Sequence, residues 1–236
     1  MEVQNSFAKG LRDGLPIGLG YLSVSFTFGM MAVSSGIPIA AAVLVSMTCV
    51  TSAGQFAGLL VMASGGSLIE LALAQLVINL RYGLMGLSLS QKLDPSMPFG
   101  HRFLMAFENT DEIFAVASSQ KGLIGAKYFY GLMVLPYAGW ALGTLLGATA
   151  SSLLPPLLTD SLQIAVYGMF LAIIVPPAKH DRAVLIVCAA AVALSCAFAY
   201  IPWLSGVSDA IAIILCAVAA AVLGALLFPI REEEAA

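Results

Sequence analysis

Charge is what this sequence has least of. Only 10% of its 236 residues are Asp, Glu, Lys or Arg, against roughly 25% in soluble domains. Hydrophobic residues make up 60%, and the mean hydropathy is +0.97. So few charges cannot cover that much apolar surface, so water is not the main solvent. Disordered, collagen-like, disulfide-scaffold and coiled-coil chains are excluded on the same grounds. The ten Lys and Arg residues are dispersed and the net charge is −3, so no basic stripe is available for nucleic acid. Cys49, Cys188, Cys196 and Cys216 lie in apolar runs with no CxxC and no paired histidine nearby. They read as small hydrophobes, and neither a disulfide framework nor a metal site is expected. HExxH, GxSxG, P-loop and dinucleotide-binding signatures are missing, as is a TVGYG-like filter. Neither an enzyme nor a cofactor is expected. The first sixteen residues are too polar for a signal peptide, so the first helix is expected to be retained.

Long uncharged runs are there instead. No charge occurs between Asp13 and Glu70, and Ser34-Ser35-Gly36-Ile37-Pro38 divides that run. Helices are predicted at about 15–35 and 39–63, each near the ~20 residues that a bilayer requires. A third is predicted at 68–91. The stretch 92–127 is polar, and within it 103–119 is helix-like but carries three acids. It is either an amphipathic surface helix, a re-entrant piece or a span lining a polar cavity. Apolar runs then predict helices at about 128–153, 161–178, 183–203 and 209–230. Together they make one permease-like domain over 1–236, an all-α polytopic membrane bundle.

Most cationic residues lie in 92–127, in 179–182 and at the C-terminal flank. The positive-inside rule puts those segments in the cytoplasm of a plasma-membrane protein. With 103–119 not crossing, there are seven spans, the C-terminus is cytoplasmic and the N-terminus is outside, where Lys9 and Arg12 fit poorly. With it crossing there are eight, and both termini are inside. Residues 29–38 (GMMAVSSGIP) and 147–155 (GATASSLLP) suggest a 3+3 inverted repeat with one extra helix, a pattern found in many carriers.

Arg81 stands out among the buried-type positions. It lies eleven residues from both Glu70 and Lys92, about 16 Å from either helix end. A guanidinium at that depth costs roughly 2.5–3.5 kcal/mol on insertion scales and needs an acceptor. It is either a structural ion pair or a receptor or gate for an anionic group, and Asn79 and Tyr82 flank it. Glu108, Asp111 and Glu112 are the candidate acceptors and suit proton carriage, unless they form a solvated helix face. In helix 2, Gln55 beside Gly54 marks either small-residue packing or an unwound turn whose freed backbone groups receive a zwitterion. Tyr21 closes the stretch PIGLGY, where Pro16 either simply starts a helix or kinks it beside a cavity.

Several segments together resemble the AzlC family. They are Gly14 to Tyr21 (GLPIGLGY), Phe28-Gly29, Thr51 to Gly58 (TSAGQFAG), Asn79 to Leu89 (NLRYGLMGLSL) and Asn109 to Val116 (NTDEIFAV), in the family's order and spacing. Ala53-Gly54-Gln55 departs from many members, which have a second small residue between the Gly and the Gln. The resemblance implies the large permease subunit of a branched-chain amino acid exporter, driven by the proton motive force and working with a small AzlD-type membrane subunit. Leucine, isoleucine, valine and methionine are the substrates it implies. On that reading Gln55, Gly54, Asn79, Arg81, Tyr82 and Tyr21 line the substrate site, and Asp111, Glu112 and Glu108 handle protons or ion pairs. The rival readings are a non-transporting membrane scaffold and a uniporter or channel for another small solute.

Overall fold

The computed structural model describes residues 3–151, 171, 174–204 and 206–228. Nine helices with assigned ends follow in chain order among the described residues. They are α1 (Phe7–Ser34), α2 (Ile39–Thr48), α3 (Ser52–Ala63), α4 (Leu68–Ser90), α5 (Phe99–Phe107), α6 (Asp111–Ser119), α7 (Ala126–Ala150), α8 (Arg182–Tyr200) and α9 (Asp209–Leu227). Two short strands, β1 (Val3–Gln4) and β2 (Leu123–Ile124), pair in parallel. Most of the helix expected at 161–178 lies outside the described residues, although 174–180 are helical. Helices α1, α4, α7 and α8 are each long and apolar enough to cross a membrane. The protein is an all-α polytopic integral membrane bundle.

The long helices match the charge-free runs, with shifted ends. Helix α1 begins at Phe7, not near 15, because the Ser6 hydroxyl accepts from the Lys9 N–H at 3.3 Å and caps it. Pro16 therefore lies inside the helix and does not start it. The helices expected at 68–91, 128–153, 183–203 and 209–230 are α4, α7, α8 and α9.

Two expectations fail at helix breaks. The run 39–63 is not one span: α2 ends at Thr48 and α3 starts at Ser52. The chain reverses between them, so that Gln55 returns beside Ser46, with Nε2 and Oγ 2.5 Å apart. In one continuous helix those residues would be about 13 Å apart along the axis. The run 103–119 is likewise two helices, α5 and α6, broken at Glu108–Thr110. It enters and leaves at one face, since Leu93 before it and Ile124 after it are bridged, with the Asp94 N–H donating to the Ile124 carbonyl.

That face also holds the N-terminus. Val3 pairs with Leu123 and Gln4 with Ile124. Lys92 Nζ donates to the Ser118 and Gln120 carbonyls, a cation on the carbonyl end of α6, and Lys9 Nζ donates to Gln120 Oε1 at 2.6 Å. The expected separation of the N-terminus from 92–127 is thus corrected. One crossing fewer, because 39–63 turns back, brings both to one face.

The same parity changes the repeat. Helices α1 and α7, expected to run in opposite directions, run parallel along their length. Gly10 meets Tyr128, Gly14 meets Leu132, Gly18 meets Leu135 and Gly29 meets Thr144. Helix α4 runs against α1 from Asn79 onward: Tyr82 is level with the breaks, whereas Leu89 and Leu93 join the core of Ile124, Tyr128 and Leu132. The units repeated in opposite sense are therefore a span followed by a broken hairpin, α1–α2–α3 and then α4–α5–α6. Their breaks start at Cys49 and Glu108, 59 residues apart.

Packing divides the expected single domain into two compact units. One comprises Met1–Phe56 and Asn79–Gln163, the other Ala57–Ile78 and Ile164–Ala236. In the first, α1 and α7 touch backbone to backbone. A Cβ at Gly143 would run into the Leu22 carbonyl and the Ser25 hydroxyl, and one at Gly147 into the Phe26 carbonyl. In the second, α8 packs on α9, and Ser208 Oγ, the α9 cap, donates to Glu70 Oε1 at 2.5 Å. Replacing Gly143 with Val should force the two backbones apart and destabilise by about 1–3 kcal/mol or more. The readout is a lower thermal unfolding midpoint in detergent, with Gly83→Val, where a Cβ meets open space, as the tolerated control.

Candidate functional site

A helix that stops inside an apolar layer frees backbone N–H and C=O groups that need partners. At the first break the Thr51 hydroxyl receives the Gly54 N–H at 3.4 Å and the Thr51 carbonyl receives the Gln55 N–H at 2.9 Å. At the second, Thr110 is the N-cap of α6 and its carbonyl receives the Phe114 N–H at 2.8 Å. The two threonines occupy corresponding places in the repeated units.

Each threonine is held by a tyrosine from the other unit. Tyr21 of α1 has its hydroxyl 2.6 Å from both Thr110 Oγ1 and Glu112 Oε2. A phenol has one proton. The carboxylate can only accept it, so the threonine hydroxyl donates to the phenol oxygen. Tyr82 of α4 lies 3.3 Å from Thr51 Oγ1 and 3.4 Å from Asp111 Oδ2. Arg81 donates to Asp111 Oδ2 at 2.7 Å, with its guanidinium 5.1 Å from the centre of the Tyr82 ring. Thr51 Oγ1 also donates to Asn79 Oδ1 at 3.1 Å. One network thus runs from Asn79 through Thr51, Tyr82 and Asp111 to Arg81 and ties the two breaks together.

Between the breaks lies a cavity of about 230 Å³, lined by Thr48 to Thr51, Asn79, Tyr82, Ala106, Phe107, Asn109 and Thr110. That is below the roughly 300–1,000 Å³ of sites for drug-sized ligands and suits something of amino-acid size. A larger cleft of about 790 Å³ in the second unit is lined by apolar residues and two serines, Ser64 and Ser195. It offers a charged solute no counter-charge, so the smaller cavity is the candidate site.

Helix ends give this cavity polarity. The N-terminus of α3 is capped by Thr51 but has no acid in its first turn, so its positive end has no counter-charge. The C-termini of α2 and α5 bring carbonyl ends, and Asn109 adds a buried side-chain oxygen with no hydrogen-bond partner. The first turn of α6 already carries its own acids, Asp111 and Glu112.

The expected site residues separate into groups. Asn79 and Tyr82 line the cavity. Tyr21, Arg81, Asp111 and Glu112 surround it through the bonds just described. Arg81 sits well inside α4, thirteen residues past Leu68 and nine before Ser90, and has its acceptor. It is not enclosed, because its side chain is 51% exposed and that of Asp111 44%. Gly54 is buried behind the Thr51 cap. Gln55 is 2% exposed and turned away, its Oε1 receiving Trp140 Nε1–H at 3.0 Å and its Nε2 donating to Ser46 Oγ, which is itself 2.5 Å from Thr144 Oγ1. Glu108 is fully buried, and neither of its carboxyl oxygens has a hydrogen-bond partner. Thr51, Asn109 and Thr110 were not singled out as site residues. The signal for them was Thr before a small-residue helix start at Thr51-Ser52-Ala53 and before Asp-Glu at Thr110-Asp111-Glu112, both N-cap patterns.

The fold and the facing breaks define a transport-related class of membrane protein, with discontinuous helices meeting at a polar cavity. The family model described as AzlC protein matches residues 16–154, which include both broken hairpins and every cavity-lining residue. The chain belongs to the AzlC family. An uncharacterized membrane protein of Archaeoglobus fulgidus is 33% identical over 181 residues, 75% of this chain and 79% of the relative. The inner membrane protein YgaZ of Escherichia coli K12 is 30% identical over 151 residues, 62% of each chain. An uncharacterized membrane protein of Helicobacter pylori is 26% identical over 158 residues, 63% of this chain and 67% of the relative. No solved structure matches.

Replacing Gln55 with Leu should act on stability. It strands the Trp140 N–H in the interior, at about 1–3 kcal/mol for an unsatisfied group, and leaves the Ser46 hydroxyl with Thr144 alone. The expected result is a lower thermal unfolding midpoint in detergent.

Proposed function

We propose that this protein is the permease subunit of a branched-chain amino acid exporter of the cell membrane, and that the solute binds between the two helix breaks. The observation that carries this reading is the polarity of the cavity. A zwitterion needs a positive end and a negative end a few ångströms apart, with apolar wall between them. The α3 N-terminus suits the carboxylate. The carbonyl end of α5 with Asn109 Oδ1 suits the ammonium. Val50, Ala106 and Phe107 suit a branched aliphatic side chain, and the modest volume favours valine, leucine, isoleucine and methionine over aromatic solutes. Asn79 and Tyr82 orient the polar ends.

Arg81 and Asp111 act as a gate on this reading. They link α4 to the start of α6, so opening their ion pair frees the second hairpin to move. Coupling to protons and assembly with a small AzlD-type subunit, which the resemblance to the AzlC family implies, complete the proposal. Transport explains the cost of polar groups at helix breaks better than a scaffold does, since a scaffold needs no cavity of this polarity. A channel would need a continuous path across the layer, whereas both hairpins turn back within it.

The charge distribution supports an orientation. The face that holds β1, Lys92, β2 and the first turns of α1, α5 and α7 collects Lys9, Arg12, Lys92, Arg102, Lys121 and Lys127. The positive-inside rule makes it cytoplasmic, so the N-terminus is inside.

Two experiments test the proposal. Everted vesicles holding the full chain with its small subunit should accumulate labelled leucine, and Arg81→Ala should abolish this with membrane insertion unchanged. Undiminished export by that variant overturns the gate, and no leucine movement by the unaltered protein overturns the function. For orientation, single cysteines at Asn5 and at Lys121, with Cys49, Cys188, Cys196 and Cys216 replaced by Ala, should both react with an impermeant maleimide in everted vesicles and neither in intact cells.

A further inference from the structure

Three acids lie near the second break, and two have partners. Asp111 holds Arg81, and Glu112 receives the Tyr21 hydroxyl. Glu108 has nothing: its residue is 0% exposed, and both carboxyl oxygens lack any hydrogen-bond donor. It is also the C-cap residue of α5, where the last carbonyls of that helix concentrate negative partial charge. A buried charge without a partner costs far more than a protein of ordinary stability can carry. A native structure that contains such a group calls for a proton, an ion or a catalytic reason.

The surrounding titratable groups are engaged elsewhere. On α1, Tyr21 serves Glu112 and Thr110. On α4, Arg81 and Tyr82 serve Asp111. On α5, His101 lies against the Tyr130 hydroxyl of α7 at 2.6 Å. Also on α7, Tyr128 donates to Asp13 and Tyr137 to the Met47 carbonyl. Cys49, at the facing break, has a partner of its own. No group of three His, Cys, Asp or Glu that could hold a metal ion is present among the described residues. Glu108 does not line the cavity, whereas its neighbours Asn109 and Thr110 do. It is therefore placed to move with the cavity wall without touching the solute.

We propose that Glu108 is the proton-exchanging residue of this carrier: it holds a proton while buried at the α5–α6 break and gives that proton up when the break opens to water. This rests on the export reading above. In the open state the O–H bond of the carboxylic acid breaks, the proton passes to water, and a hydrated carboxylate remains. Reburial requires that the carboxylate take a proton from solution again, so the hairpin cannot complete its cycle without one. The arrangement makes the break itself the coupling device, because the two residues that follow the acid, Asn109 and Thr110, form part of the cavity wall.

The test uses the full chain with its small subunit in everted vesicles. Glu108→Gln imitates the permanently protonated acid. It should keep leucine counterflow, lose leucine accumulation driven by a pH gradient, and flatten the dependence of counterflow on pH. Glu108→Asp should retain accumulation at a shifted pH optimum. Unchanged gradient-driven accumulation by folded Glu108→Gln overturns the proposal. So does loss of counterflow together with accumulation in a folded variant, which would make Glu108 a solute contact or a structural group. A readout on the unaltered protein covers variants that fail to fold. Dicyclohexylcarbodiimide reacts with protonated carboxyls in apolar surroundings, and peptide mass spectrometry should find its adduct on Glu108 at neutral pH. An adduct on Asp111 or Glu112 with Glu108 unmodified overturns the proposal. If the unaltered protein moves no leucine, the export reading fails while the adduct still reports on Glu108.

Discussion

A backbone interrupted inside an apolar layer is the constraint on which the rest of this structure depends. Each break frees several N–H and C=O groups, and hydrocarbon offers them nothing. Both breaks meet the same solution: a threonine at the start of the second half-helix, whose hydroxyl is held by a tyrosine from the opposite repeated unit. Tyr21 reaches Thr110, and Tyr82 reaches Thr51. The exchange is reciprocal, so neither hairpin can be placed correctly without the other. The parallel contact of α1 and α7 supplies the rigid wall behind this arrangement. Its glycines bring two backbones together with no side chain between, which fixes α1 and hence the height of Tyr21.

Reciprocity has a consequence for motion. A hairpin that swings away must give up the tyrosine that holds it, and the two tyrosines belong to units of opposite sense. Loss of one clasp leaves the other intact. On the proposed transport reading, this lets one hairpin open with the other still held, the minimum that alternating access requires. The Arg81–Asp111 pair adds a second fastening to the second hairpin alone. Because that pair is half-exposed, water beside it weakens its attraction directly.

Charge spacing made the long helices legible in the sequence. Glu70 and Lys92 bracket α4, and Asp181-Arg182 starts α8, because charges at the ends of a span are the cheapest to place. The breaks were harder to read for opposite reasons. Cys49-Val50-Thr51 has neither Gly nor Pro, and each of its residues is tolerated in an apolar helix, so hydropathy runs through it without a mark. Glu108-Asn109-Thr110 is conspicuous, but polar residues there fit a surface helix and a re-entrant turn equally well. Only the pairing of Leu93 with Ile124 distinguishes them, and no local pattern encodes that contact. The acceptor for Arg81 was legible as a choice among three acids on α5–α6. Gln55 was legible as a buried polar group, but its direction was not. Trp140, which claims its oxygen, is 85 residues away in sequence. The extra crossing expected at 39–63 followed from the unread first break, and with it the expected directions of α4 and α7 relative to α1.

The three acids of the second hairpin show how position on a helix separates chemically similar groups. Asp111 and Glu112 stand in the first turn of α6, where free N–H groups favour negative charge, and each has a donor besides. Glu108 stands three residues earlier, at the carbonyl end of α5, with no donor at all. A shift of one helix turn thus separates two carboxyls that have donors from one that has none. Had the break fallen after Asp111, the roles would be exchanged and Arg81 would face an acid at the wrong pole of its helix. The location of the break, more than the number of acids, therefore decides which carboxyl is fixed and which is free to change its charge. That location is set by Thr110, the residue that Tyr21 holds.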